Sequence, residues 1–384
     1  MGGGLMQLVA YGAQDIYLTG NPQITFFKVV YRRHTNFSME AIEQTLNGTV
    51  ALGNRVSATV SRNGDLVSRM YLQVQFDVTT GCVNPGHTII NNVECEIGGQ
   101  KIDKHYGHWM EVWSELTEPN SSALTGVIED GSSTVSGTKF QNMARAGGMG
   151  VNTASNVVAY VPLQFWFCRN PGLALPLIAL QYHEVKIILE LESSPVNVTL
   201  DSLSMWADYI YLDTDERRRF AQVSHEYLIE QVQHQTTSST NAELNFNHPV
   251  KELIWTGAYG PTTGFRTALN AGNFQLKLNG HDRFSERSCD YFTKTQVWQH
   301  HTGTPVTMAG AVTSSSTGTA SATAIAVYSF ALKPEEHQPS GTCNFSRIDN
   351  AILVTPNTDT LNIYAVNYNV LRIMSGMGGL AYSN

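Results

Sequence analysis

The sequence predicts an all-β protein built from two copies of one β-sandwich. Three observations carry that reading: apolar and polar residues alternate with period two, turn residues separate the alternating runs, and three segments recur in the same order in the second half. Leu72, Val74, Phe76 and Val78 alternate with polar neighbours, and so do Val185, Ile187, Leu189 and Leu191. Phe274, Leu276 and Leu278 follow the same rule, as do Ala326, Tyr328, Phe330 and Leu332. Each run reads as a half-buried strand with its apolar face inward. Asn63-Gly64 reads as a tight hairpin turn, while Asn170-Pro171-Gly172 and Pro339-Ser340-Gly341 break the chain between apolar segments.

The repeat is faint. Glu96 to Asp103 resembles Lys277 to Phe284, an apolar strand end turning through glycine. Phe165-Trp166-Phe167 before a Pro-Gly turn resembles Phe330-Ala331-Leu332 before Pro339-Ser340-Gly341, and Trp206-Ala207 resembles Tyr364-Ala365. The charged stretch Asp213 to Arg219 falls between the copies and reads as a solvated connector with local ion pairs. One segment departs from period two: Tyr106, Trp109, Met110, Trp113 and Leu116 recur at helical spacing, after a candidate cap at Asp103 and before Pro119. A short amphipathic helix is expected there, its aromatic stripe serving core packing.

With 384 residues the chain has room for two or three domains. Lys plus Arg is 24 and Asp plus Glu is 32, a net charge of −8, and charged residues are only 15% of the chain. A protein that coats nucleic acid needs a dense set of cations to displace counterions, so direct genome binding is not expected. The longest apolar run, Leu173 to Leu180, contains Pro176 and is far too short to span a bilayer. The first basic residue is Lys28, so no secretory signal is read at the N-terminus, and synthesis in the cytosol is the expectation. Cys82, Cys95, Cys168, Cys289 and Cys343 are odd in number and widely spaced, which reads as reduced thiols rather than a disulfide framework.

Reaction chemistry is sparse. Gly147-Gly148-Met149-Gly150 and Gly376-Met377-Gly378-Gly379 lack the spacing of a phosphate-binding loop, and no Gly-x-Ser-x-Gly elbow occurs. His105, His108 and Glu111 could share a helical face as metal ligands, but the spacing is loose, and His300-His301 is weaker still. Paired acids such as Asp213 and Asp215 lie in the connector. No catalytic, cofactor-binding or metal residue is therefore assigned, and no enzyme activity is expected. Asn-x-Ser/Thr triplets at Asn36, Asn47, Asn120, Asn197 and Asn344 are read as chance in an Asn/Ser/Thr-rich chain. Long Gly/Ser/Thr/Asn-rich stretches, roughly 119–158, 235–249, 257–273 and 301–324, read as exposed or partner-contacting loops.

Longer segments carry a family likeness. The opening Gly3 to Asp15, the run Leu18 to Arg33, Pro171 to Val185, His225 to Gln231, Gln338 to Asp349 and the C-terminal Asn367 to Tyr382 resemble the major capsid proteins of nucleocytoplasmic large DNA viruses, nearest the algal-virus type. The resemblance spans nearly the whole chain, which is compact for the family, its shorter stretches falling in loops. It implies a double jelly roll, two tandem eight-stranded sandwiches with one or a few short helices in loops: an N-terminal arm over 1–25, a first jelly roll over 26–213, a linker over 214–224 and a second jelly roll over 225–384. It further implies homotrimers that act as pseudo-hexagonal capsomers, lattice contacts between trimers, minor capsid and penton proteins as partners, and a position in the virion beside an inner viral membrane without spanning it, after assembly in the host cytoplasm. The residues alone leave two other classes open. One is a β-sandwich carbohydrate-binding or host-attachment protein; the other is a metal-dependent cupin-like enzyme.

Overall fold

The computed structural model describes residues 3–382 except 26, 30, 32, 80–81, 120–127, 130–137, 149, 152, 196, 259–268, 270–271, 304–306, 310–318 and 322–323. Most of the segments 257–273 and 301–324, and much of 119–158, lie outside the described residues. The chain divides into two compact units, Met1–Asn36 and Phe37–Asn384. The first holds two short helices, Gly3–Val9 and Ile16–Thr19, and its described side chains from Met6 onward are nearly all exposed.

The second unit contains two sandwiches of the same design. Its first half is carried by β1 (Phe37–Gln44), β2 (Arg55–Thr59), β3 (Leu66–Val78), β4 (Ile90–Ile97), β5 (Gln100–Tyr106), β6 (Ala154–Pro162), β7 (Val185–Leu191) and β8 (Val198–Leu212). These form one sheet in the order β1-β8-β3-β6, faced by another in the order β2-β7-β4-β5. The second half uses β9 (His225–Thr237), β10 (Asn241–Glu243), β11 (Pro249–Thr256), β12 (Asn273–Leu278), β13 (His281–Asp282), β14 (Ile325–Ser329), β15 (Ala351–Val354) and β16 (Leu361–Met374). Its sheets run β9-β16-β11-β14 and β10-β15-β12-β13, the same order strand for strand. This is the eight-stranded jelly roll, twice.

Period two sets the faces. In β3, Met70, Leu72, Val74, Phe76 and Val78 are buried between the sheets while Tyr71, Gln73, Gln75 and Asp77 alternate outward. The repeat at Glu96 to Asp103 and Lys277 to Phe284 marks equivalent hairpins. β4 turns into β5 through Gly98 and Gly99 at φ 59° and 83°, and β12 turns into β13 through Asn279 and Gly280 at φ 50° and 79°. Two successive left-handed residues suit the twist of a two-residue hairpin, which glycine and asparagine supply.

Several expectations change. Asn63-Gly64 is not a hairpin: β2 and β3 belong to opposite sheets, and the bend between them carries the chain across the sandwich. Gly64 is required there because a Cβ would lie 2.8 Å from the Tyr209 Cβ. The run from Ala326 to Leu332 is a strand only to Ser329, and it is buried on both faces rather than one. Ala326 and Tyr328 enter the core of the second half, while Ile325 and Val327 pack against a helix from the first half. The connector is helical: α3 (Thr214–Gln222) is capped by the Asp213 carboxylate on the Thr214 N–H, and Arg217 Nε pairs with Asp65 at 2.9 Å. Its Phe220 packs with Leu66, Ala174 and Ile210.

The expected aromatic helix is α1 (Gly107–Thr117), and its stripe is indeed buried. Asp103 does not cap it, because Asp103 lies within β5 and Tyr106 occupies the cap position without a side-chain bond. Met110 enters the core of the first half, whereas Trp109, Val112, Trp113 and Leu116 lie on the outer face of β9-β16-β11-β14, against Ile254, Tyr364 and Val366. The helix is thus the wedge between the two jelly rolls. A second continuous apolar contact runs below it, where Ile229, Leu371 and Ile373 of the second half join the first half's core.

Candidate assembly site and interdomain seam

The residues that could have formed a metal site are taken apart by the fold. His105 is buried in β5 with its ring stacked on Phe165 at 4.3 Å, and burial drives it down to about 3. His108 Nδ1 meets the Tyr364 hydroxyl at 2.8 Å. Glu111 turns the other way: one carboxylate oxygen meets His87 Nδ1 at 2.6 Å and accepts the Gly147 N–H at 3.0 Å, and the other accepts the Gly148 N–H at 2.9 Å. The three serve three different contacts, and among the described residues no group of three or more His, Cys, Asp or Glu could hold a metal ion. Asp213 is a helix cap and Asp215 lies in the first turn it caps, where negative charge complements the helix dipole. His300 is half-buried with its Nδ1 3.3 Å from the Leu332 carbonyl, whereas His301 is buried. Its Nε2 lies 3.1 Å from Glu252 and its Nδ1 3.0 Å from Glu335. Burial alone would lower His301, but the two carboxylates outweigh it and lift it to about 9.

The described structure places all five cysteines as free thiols, and burial raises each of them. Such thiols are poor nucleophiles. Among the Asn-x-Ser/Thr positions, Asn344 uses its side chain to accept the Ser346 N–H, and Asn120 lies outside the described residues.

The seam between the jelly rolls holds a charged cluster that sequence reasoning missed. Arg169 Nη1, from the short helix α2 (Trp166–Arg169) of the first half, lies 2.9 Å from Glu230 of β9. The other Glu230 oxygen lies 2.8 Å from Lys251 Nζ and 3.4 Å from His337 Nδ1. Lys251 is fully buried and Glu230 is 6% exposed. Burial alone would raise Glu230, but the His337 hydrogen bond and the Lys251 and Arg169 charges hold it down at about 2. Arg169 also lies over the Trp113 ring, 4.5 Å from its centroid, so the wedge helix and the charge cluster share one cation. Alongside, Asp103 accepts the Val232 N–H at 3.2 Å from across the seam, and complete burial pushes its carboxyl up to about 7 against those backbone bonds. One signal was legible: Lys251-Glu252 interrupts the apolar run from Val250 to Trp255, and adjacent charges in a strand core imply buried partners.

Exposed apolar side chains mark the outside. On the outer face of β1-β8-β3-β6, Tyr71 and Tyr160 meet edge to face at 6.3 Å, and Trp206 donates its indole N–H to Gln73. Beside them is an open cavity of about 690 Å³ lined by Arg69, Tyr71, Phe140, Met143, Tyr160 and Pro162, among others. On the second half, a π-helical turn (Tyr291–Thr295) runs into α4 (Gln296–His300). There Trp298 is 81% exposed, and Leu332, beside His300, is 77% exposed.

Two jelly rolls of the same strand order in tandem are the fold of the double jelly-roll capsid proteins. Comparison with known proteins agrees. The major capsid protein N-terminus model matches residues 25–213, and the large eukaryotic DNA virus major capsid protein model matches residues 216–379. The chain is 56% identical to the major capsid protein of Pyramimonas orientalis virus and 43% identical to that of Paramecium bursaria Chlorella virus 1, each alignment covering 100% of both chains. A quasi-atomic model of the Paramecium bursaria Chlorella virus 1 capsid superposes with a TM-score of 0.78 at 38% identity, covering 94% of this chain and 100% of that one. The Faustovirus major capsid protein, at 13% identity and TM-score 0.66, shares the fold. The chain belongs to the major capsid protein family of large eukaryotic DNA viruses, and its role is structural, in the capsid of the virion.

Proposed function

We propose that the protein forms homotrimers, each serving as a pseudo-hexagonal capsomer that tiles an icosahedral shell. The observation that carries this is the repeated strand order: two equivalent lobes per chain become six in a trimer, so an object of threefold symmetry can occupy a hexagonal lattice site. The scarcity of charge fits such a role. Tiles present in large copy number need only weak contacts each, because shell closure multiplies them.

In this reading the domains divide as 1–25 arm, 26–213 first jelly roll, 214–224 linker and 225–384 second jelly roll, and no residue is catalytic. The arm lies on the inner face and contacts a neighbouring subunit or a minor capsid protein; penton proteins fill the vertices. Assembly takes place in host cytoplasm, beside an inner viral membrane, without direct contact to nucleic acid. The mass of the purified protein in solution, with negative-stain images, tests the whole reading: a stable trimer with a hexagonal outline is expected, and a monomer refutes it. Deleting residues 1–25 is expected to leave soluble trimers but lower particle yield, and unchanged yield refutes the role of the arm.

A further inference from the structure

Within one chain, the first jelly roll reaches the second by a specific device. The helix that follows the fifth strand, α1, leaves its own lobe and lays Trp109 and Trp113 on the outer face of the next lobe's β9-β16-β11-β14 sheet, where Trp109 packs on Tyr364 at 5.1 Å. The second jelly roll has a helical segment at the same place in its strand order, Tyr291–His300 after β13. One side of that segment is anchored as in α1: Phe292 enters the core of its own lobe, as Met110 does. Trp298 of this segment is 81% exposed and makes no close ring contact among the described residues.

The receiving face is also duplicated. Ile254 lies opposite Tyr364 and Val327 in the second lobe, and Tyr71 lies opposite Trp206 and Pro162 in the first. One register step further, Ile325 corresponds to Tyr160. In the second lobe these positions are covered by α1 and buried. In the first lobe Tyr160 is 40% exposed, and the cavity of about 690 Å³ opens beside it.

We propose that the outer face of β1-β8-β3-β6 receives the Tyr291–His300 segment of a second copy of this chain, with Trp298 inserted against Tyr71, Tyr160 and Pro162. The contact repeats between copies the one α1 makes inside the chain. It is heterologous, a knob on one lobe entering a face on the other, and such a contact makes a closed ring when its rotation allows. An exposed tryptophan entering an apolar-lined recess is the usual anchor of a protein interface. The inference rests on the trimer reading and names the surfaces that make it.

Trp298→Ala, Trp298→Phe and Tyr160→Ala test it by sedimentation and native mass spectrometry, with thermal melting as the folding control, since both positions are exposed. Trp298→Ala is expected to weaken the trimer about 30-fold, the effect of losing a ~2 kcal/mol anchor. Trp298→Phe should weaken it less, and a Trp298→Cys/Tyr160→Cys variant should form a disulfide between copies under mild oxidation. A wild-type trimer that all three substitutions leave unchanged, with no disulfide formed, overturns this contact and leaves the trimer reading standing. A wild-type monomer removes both.

Discussion

Replacing Glu230 by Gln is the sharpest test of how the two jelly rolls are held. Glu230 is the anion shared by Lys251, at 2.8 Å, and Arg169, at 2.9 Å, and Lys251 has no exposure to water. Removing one partner of a buried pair leaves the other charge uncompensated, which costs about 3–5 kcal/mol. The proton-binding argument gives a similar magnitude: a carboxyl held at about 2 rather than 4.5 contributes ~3 kcal/mol. Because the folded value is depressed, that stability is present above about pH 4.5 and is lost as pH falls through about 2. For a chain of this length the Gln variant is expected to melt roughly 4 °C lower at neutral pH, at fixed protein concentration. The companion variant Glu230→Gln/Lys251→Met also removes the fully buried cation, leaving Arg169, whose side chain keeps some contact with water, and is expected to recover part of the loss. A single variant that melts within about 1 °C of the wild type, or a double variant as unstable as the single, refutes the account of the seam.

Two further outcomes are expected. His301 is lifted to about 9 by Glu252 and Glu335, so its contribution is complete below about pH 6.5 and lost as pH rises through about 9; melting across that window should fall for the wild type and stay flatter for His301→Gln. The equivalent hairpin glycines should differ: Gly280→Ala meets open space and costs about 1 kcal/mol for its left-handed backbone. Gly98→Ala adds a Cβ 2.4 Å from the His183 ring, which is tied to Gly378, and should cost about 3 kcal/mol; denaturant midpoints measure both, and equal losses refute the steric argument.

The β class, the duplication and the aromatic helix were legible in the sequence because they depend on local periodicity and turn chemistry. Leu72 to Val78 alternate because one face of β3 meets a core and the other does not, and two left-handed residues at Gly98-Gly99 and Asn279-Gly280 signal hairpins wherever they fall. The helicity of 214–222 was masked by its charge. Asn63-Gly64 misled because a turn signal specifies a bend but not which sheet the next strand joins.

What the tertiary structure decided is everything that depends on partners far apart in the chain. The stripe of α1 identified a buried helix but not that it covers the other lobe. Glu230 and Lys251 come from separate strands of one sheet of the second lobe, and Arg169 of the first lobe reaches them only when the lobes dock. Likewise, burial of Ile325 and Val327 on the outer face of β14 follows from α1 arriving there, whereas on the same face of the first lobe Tyr160 stays 40% exposed beside a cavity bordered by the helix Lys139–Ala144. Periodicity encodes which side of a strand is apolar; only packing determines what that side meets.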